Sequence, residues 1–322
     1  MVKQQLNVST LSKNFADEDK ARELLEEMRW HGNPVCPHCE AEDAYKLTPK
    51  EGSTTRKGVY KCRICRKQFT VTVGTVFEGS RIPLSKWLMA LHLICSSKKG
   101  ISALQLSRNL DLTYKTAWFM AHRIRYAMAQ EPLRSKLKGV VESDETYIGG
   151  KVANMHGEQK RRVMEGRKGG SHGKAPVVTL VERGGRVKTH HQEHVTSTNI
   201  KRILRETINQ KEAFLMTDDS TPYKGSKHNF IGHESVVHST GEYVRGKGDG
   251  AIHVNTAESV HALLKRGVMG TYHHWSKKHL HRYLAEFDFR WNHRKITDGE
   301  RTVEAIAIVG GKRLRYKDPT KK

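Results

Sequence analysis

Four cysteines stand in two close pairs, Cys36-Pro-His-Cys39 and Cys62-Arg-Ile-Cys65, with 22 residues between the pairs. A CxxC turn points two thiolates at one tetrahedral ion, and two such turns complete a shell of four. The spacing therefore predicts a Zn²⁺ site at Cys36, Cys39, Cys62 and Cys65. A closed shell leaves no open coordination position, so this zinc is expected to hold the fold and do no chemistry. The competing reading is a redox dithiol or unrelated free thiols. The fifth cysteine, Cys95, lies in an apolar helical stretch and reads as core.

A second chemistry is written in carboxylates. Asp144 sits inside the β-rich run Gly139–Gly150, where a buried strand normally carries an apolar residue, and a carboxylate there needs a cation or hydrogen-bond donors. Asp218 ends the apolar strand Phe214–Thr217, and Glu258 lies in a helical run from Asn255 to Val268 that also carries Lys265. Glu258 and Lys265 are seven residues apart, about two helical turns, so they share a face. Each acid alone reads as a solvated or capping residue. Held together, two such charges about 4 Å apart repel by roughly 4 kcal/mol at an effective dielectric near 20. A divalent cation resolves that conflict, and oxygen ligands with open positions suit Mg²⁺ or Mn²⁺. Two ions about 4 Å apart suit phosphodiester cleavage and transfer. Glu142, on the strand face of Asp144, and Asp219, beside Asp218, are rivals for the first two positions.

These acids need a scaffold that brings them together. From Gly139 the order is strand, strand, strand, helix, strand, strand, helix: the run holding Asp144, a hairpin Val177–Glu182 and Val187–His191 turning at Gly184-Gly185, a helix over 196–209 capped by Thr196 or Ser197, Phe214–Thr217, Ser235–His238, then the Glu258 helix. That order fits a ribonuclease H-like mixed sheet, in which carboxylates from the first strand, the end of the fourth and a later helix converge. The fold class expected is α+β: a zinc ribbon and a helix-turn-helix, then this mixed sheet with flanking helices.

The N-terminal part reads as one amphipathic helix over about 10–30 within segment 1–30, a zinc ribbon over 31–80 that ends in a hairpin from Phe69 to Phe77 around Gly74, and a helix-turn-helix over 81–132. Within the last, Ile101–Leu110 forms a short helix and Thr113 caps a second one, Tyr114–Met128. Tyr114, Lys115, Thr116, His122, Arg123 and Arg125 fall outside its apolar stripe, as on a recognition helix that binds DNA. The catalytic sheet is expected over 138–310, and 311–322 reads as a mobile basic tail. Lys151–Lys174 holds seven basic residues, two acidic ones and five glycines, a composition expected of a flexible loop that closes on phosphates. Trp275, in a basic stretch from His273 to Arg282, could stack on an unpaired base.

Several short runs carry a resemblance: Ser143-Asp-Glu-Thr-Tyr-Ile-Gly-Gly150, Thr217-Asp218, His253-Val-Asn-Thr-Ala-Glu-Ser259, Leu263-Leu-Lys-Arg-Gly267, Gly270-Thr-Tyr-His-His-Trp275 and Phe289-Arg-Trp-Asn-His-Arg294. Together with the cysteine knuckles they resemble the DDE transposases of bacterial insertion sequences with an N-terminal zinc ribbon, a group related to the eukaryotic Merlin elements. The resemblance implies that Asp144, Asp218 and Glu258 form the metal-binding triad and that Lys265 contacts DNA. It further implies binding of terminal inverted repeats, strand cleavage and strand transfer into target DNA by a homodimer or larger assembly.

Charge agrees with a polyanionic partner. Lys and Arg total 57 against 34 Asp and Glu, a net +23 over 322 residues. With 36% hydrophobic residues a core can form, which argues against wholesale disorder. No apolar run approaches the ~18 residues a membrane span needs, and the N-terminus lacks a secretory signal, so the expected location is the cytoplasm, at the nucleoid. The alternative functions are a DNA-binding regulator that kept the fold without catalysis, and a structure-specific ribonuclease H-like nuclease.

Overall fold

The computed structural model describes residues 6–14, 17–48, 56–129, 135–150, 155–164 and 173–320. The chain forms two compact units, residues 1–129 with 293–322, and residues 130–292.

The first unit opens with α1 (Val8–Asn14) and α2 (Glu18–Trp30) in place of the single expected helix. Asp17 makes the break: its extended backbone and its side chain, which accepts from the Asp19 N–H, start a new helix. Strands β1 (Ala44–Lys46), β2 (Val59–Cys62) and β3 (Gln68–Thr70) form an antiparallel ribbon in sequence order. Its aromatic core sets Trp30 edge-on to Tyr60 at 4.9 Å and to Phe69 at 5.9 Å. The hairpin expected over 69–77 does not form. Strand β3 ends at Thr70, and Thr75 bridges Gly310 while the Val76 N–H donates to the Val309 carbonyl at 3.2 Å.

Three helices follow: α3 (Leu84–Ser96), α4 (Ala103–Leu110) and α5 (Tyr114–Met128). Thr113 caps α5 as expected, while Ser102 caps α4, which therefore starts at Ala103 rather than Ile101. Ser102 accepts from Gln105 N–H, Asp111 ends α4 in the left-handed region at φ 47°, and Thr113 accepts from Thr116 N–H. The α4–turn–α5 pair is a helix-turn-helix in form.

The second unit contains β4 (Leu137–Ile148), α6 (Gly157–Met164), β5 (Ala175–Glu182), β6 (Val187–His191), α7 (Ser197–Thr207), β7 (Ile208–Asp218), β8 (Gly232–Val236), α8 (Asn255–Gly267) and α9 (Leu280–Asn292). The sheet order is β6-β5-β4-β7-β8. β4 pairs antiparallel with β5 and parallel with β7, and β8 extends the parallel side. This is the mixed sheet expected from the element order. Two boundaries differ: β7 starts six residues earlier than Phe214, and the strand expected at 235–238 is Gly232–Val236. Helix α6 lies inside the stretch expected to be a loop; Lys151, Arg167 and Lys168 of that stretch fall outside the described residues.

Side-chain alternation along β4 sets the layers. Val141 joins Ile200, Leu204 and Tyr223 on one side, and Ile148 joins Ala257, Val260, Leu264 and Phe287 on the other, so α7 covers one face and α8 with α9 the opposite one. Strand β6, at the sheet edge, is tied down by α9. Asp288 accepts from the Thr189 N–H at 3.0 Å and hydroxyl at 2.9 Å, and Asn292 accepts from the Val187 N–H at 2.7 Å.

The expected catalytic domain ended at residue 310, but the second unit ends at Asn292. Helices α10 (Asp298–Ala307) and α11 (Lys317–Thr320) belong to the first unit, where Thr302 meets the buried His92 at 3.0 Å. The segment expected to be a mobile tail is packed as far as it is described. Lys312 caps α5 through the Ala127 and Ala129 carbonyls, Leu314 is buried, and Tyr316 sits edge-on to Phe119 at 5.2 Å. Lys321 and Lys322 lie outside the described residues. Among the described residues, no helix is long and apolar enough to cross a membrane.

Candidate active site

The four cysteine sulfurs meet as the knuckle spacing predicts. One ligand atom from each of Cys36, Cys39, Cys62 and Cys65 lies within 4.8 Å of the others, with Cys36 against Cys65 and Cys39 against Cys62 both at 3.6 Å. A tetrahedral zinc with bonds near 2.3 Å puts its sulfurs about 3.8 Å apart, so the donor set fits. The Cys65 N–H, and then the Cys39 thiol and the Ile64 N–H, pull the Cys62 thiol down to about 7, toward the thiolate a metal needs, while at Cys39 the pull of the Ala41 N–H is outweighed by burial and the other three sulfurs, which push that thiol up.

In the second unit, β4 and β7 run parallel with Ser143 opposite Thr217 as their last pair, so Asp144, inside β4, and Asp218, the last residue of β7, come side by side on adjacent strands. Carboxylate oxygens of Asp144, Glu145 and Asp218 all lie within 4.8 Å of one another. Burial, and then the charges of Asp218 and Glu258, push the Asp144 carboxyl up to about 7 against the pull of the Glu145 N–H at 2.8 Å. Burial likewise pushes Glu145 up to about 7, with Asp218 and Asp144 adding to it. Three half-buried hard oxygen donors in mutual repulsion suit a cation of the Mg²⁺ or Mn²⁺ kind. Asp219 is exposed and outside the group.

Glu145 was missing from the sequence-derived site. Alternation along a strand places neighbours on opposite faces, which hides a pair such as Asp144-Glu145 from a one-face reading. Just past the last β4–β7 pair, Ser143 with Thr217, both carboxyls reach one point. Tyr223 holds the second of them: its buried hydroxyl donates to Glu145 and meets Ser143 Oγ at 2.8 Å, and burial keeps the phenol protonated. Glu258 is exposed on α8 and stands outside the three-acid group, yet its charge is felt at Asp144. Its helix is placed by His261, three residues on, whose Nδ1 is 3.4 Å from Asp144 and whose Nε2 is 2.9 Å from the Thr179 hydroxyl. Burial holds His261 down to about 3, so it is neutral. Lys265, exposed, continues the same helix flank.

Glu142, a rival for the Asp144 position, is fully buried and accepts from the N–H groups of Thr256 and Ala257 at the start of α8 and from Arg183. Its oxygens face protein donors.

The residues expected to face DNA divide. Tyr114 and Lys115 are exposed and Thr116 is half-buried at the start of α5. His122, Arg123 and Arg125 are buried, contrary to expectation. Arg123 lies over the Trp87 and Phe119 rings and donates to the Glu78 carbonyl at 2.7 Å, so its charge serves packing. Trp275 is also buried, stacked on Tyr283 at 5.0 Å and edge-on to Phe287, which leaves its ring no open face for a base.

A four-thiolate ribbon and a helix-turn-helix, with a mixed sheet whose adjacent strands β4 and β7 bear clustered carboxylates, define a zinc-ribbon protein with a nuclease-like acidic centre. Comparison with known proteins gives the family. The ISXO2-like transposase domain matches residues 136–292, and the transposase zinc-ribbon domain matches residues 16–68. A protein of the transposable element ISH50 from Halobacterium salinarum, described as uncharacterized, is 32% identical over 284 residues, covering 86% of this chain and 92% of its own. The chain belongs to the ISXO2-like transposases. Among solved structures, a pre-cleavage Mos1 transpososome aligns over 94% of this chain and 96% of its own at 13% identity and a TM-score of 0.24, a likeness too slight to bear on fold or function.

Proposed function

We propose that this transposase binds the terminal inverted repeats of its element, hydrolyses a phosphodiester at each end, and joins the freed 3′-hydroxyl to target DNA. The observation that carries this reading is the convergence of Asp144, Glu145 and Asp218 within 4.8 Å, flanked by the helix that bears Glu258 and Lys265. Asp144, Asp218 and Glu258 would hold two Mg²⁺ or Mn²⁺ ions, with Glu145 as a further ligand from the same strand as Asp144. Bound there, the ions supply activation of the attacking oxygen and stabilisation of the leaving one. The chain's own part is orientation: Tyr223 fixes Glu145, neutral His261 fixes Asp144, and the Lys265 ammonium faces the phosphates.

A structural Zn²⁺ in the four thiolates would hold the ribbon. The ribbon and the exposed start of α5 at Tyr114, Lys115 and Thr116 would read the DNA ends in the cytoplasm. Two ends must be joined together, which favours a homodimer or larger assembly.

The test is incubation of the chain with end-bearing DNA and Mg²⁺. Nicks at the element ends followed by joined products support transposition. Metal-dependent cutting of junctions or hybrids without end preference supports the nuclease reading, and binding without cutting supports the regulator. For the DNA-reading surface, Lys115→Ala is expected to lower the slope of log affinity against log salt by about 1 in fluorescence anisotropy, the loss of one phosphate contact.

A further inference from the structure

Helix α8 carries Glu258, and from the segment leading into it His253 Nδ1 takes the Asn255 N–H at 3.3 Å. The N-cap residue is Val254, whose side chain accepts no hydrogen bond. An uncapped buried helix start leaves N–H groups without partners, at a cost of about 1 kcal/mol or more each. Here the acceptor comes from the sheet. Glu142 Oε2 takes the Thr256 N–H at 2.7 Å and the Ala257 N–H at 3.0 Å, while Oε1 takes the Thr256 hydroxyl at 2.9 Å. His253 Nδ1 is also 3.3 Å from Oε1.

The same carboxylate is held by Arg183, whose Nε donates to Oε1 at 2.6 Å. The rest of that guanidinium reaches the segment leading into α8, donating to the Ala251 carbonyl at 2.7 Å and the His253 carbonyl at 3.0 Å, with Nη2 also 2.9 Å from the Met216 sulfur. Glu142 thus binds the first turn of α8 while Arg183 binds the approach to it. Both residues belong to the sheet or its β5–β6 turn.

Glu142 is two residues from Asp144 on the same face of β4, and its contacts at Thr256 and Ala257 are two residues and one residue from Glu258. We propose that Glu142 and Arg183 are positioning residues for the acidic centre: they fix the start of α8 on the strand that carries Asp144, so that Glu258 is delivered to Asp144. The proposal rests on the reading of these acids as a metal site. Glu142 itself touches no reacting group.

The experiment is a Mn²⁺ titration of the full-length, zinc-loaded chain without DNA, read by calorimetry, with the melting temperature recorded alongside. Glu142→Gln is expected to raise the Mn²⁺ dissociation constant about 10–100-fold, as loss of a residue supporting a ligand does. Asp288→Asn, which removes a buried carboxylate that holds α9 to strand β6, itself separated from β4 by β5, is the control and should leave that constant within twofold. An unchanged constant in folded Glu142→Gln overturns the proposal, as does an equal rise in the Asp288 variant. If Glu142→Gln does not fold, Arg183→Lys takes its place: it keeps the charge but loses the fork to Ala251 and His253, and an unchanged constant there also overturns the proposal. Failure of the parent chain to bind Mn²⁺ removes the metal-site reading first and this proposal with it.

Discussion

Asp144→Asn is expected to raise the melting temperature of the metal-free 130–292 unit at pH 8 and, in the same protein, to abolish DNA cleavage. Burial, reinforced by Asp218 and Glu258, pushes the Asp144 carboxyl from 3.8 to about 7. A group whose folded pKa lies above its unfolded value favours the fold while protonated, so the stability it contributes is present below pH ~4 and is lost as pH rises toward 7. About three pKa units correspond to on the order of 4 kcal/mol, an upper figure because Glu145 shares the same repulsion. Asparagine has no charge to desolvate and removes that cost. It also removes a hard anionic ligand, for which a loss of about 10³-fold or more in cleavage rate is expected, equal to about 4 kcal/mol. Calorimetry at pH 5.5 and pH 8, with and without Mn²⁺, tests the stability half. The parent unit should melt lower at pH 8 and recover on adding Mn²⁺; in the variant the recovery should be lost and the pH effect reduced to the part that Glu145 contributes. A parent melting temperature indifferent to pH and Mn²⁺ would show that the acids do not form the cation site.

What the sequence made legible follows from which interactions are local. The cysteine knuckles, the Thr113 cap and the order of strands and helices in the second unit depend on residues within a few positions of one another, and all appear as expected, with strand bounds shifted by a few residues. The third acid near Asp144 was hidden because its approach is a tertiary effect: Glu145 turns inward where the Tyr223 hydroxyl, 78 residues on, donates to it. Glu142 illustrates the reverse case. Two positions from Asp144 and chemically identical to a ligand, it is recruited by Thr256 and Ala257, more than a hundred residues later in the chain, so only the fold separates ligand from helix cap. The basic and aromatic residues misread as facing DNA share one cause. Helical periodicity marks a stripe facing one neighbour, whereas α5 is covered on further sides and closes over His122, Arg123 and Arg125. Tertiary packing likewise claims Trp275, which joins Tyr272, Tyr283 and Phe287 in one aromatic group.

Removing zinc should unfold residues 31–80 while leaving the acidic centre of the second unit able to bind Mn²⁺. The ribbon sheet has three strands of three or four residues, too little to stand without a cross-link. Its Cys36 and Cys62 are fully buried, and the aromatic packing of Trp30 against Tyr60 and Phe69 depends on the strands those thiolates join. Structural zinc supplies on the order of 10 kcal/mol or more of folding free energy, comparable with the whole stability of a domain. Chelation, or Cys36→Ser, is therefore expected to abolish hydrogen-exchange protection of β2 and β3 and to release one zinc per chain. Because thiolates bind the metal and thiols do not, release should become easier as pH falls. The β4–β7 ladder shares no residue with the ribbon and should keep its exchange protection and its Mn²⁺ response. Intact protection of β2 in the Cys36 variant, or a metal content well below one zinc in protein prepared without chelator, would sink the four-thiolate assignment. Loss of the Mn²⁺ response together with the ribbon would show instead that the second unit folds only with the first.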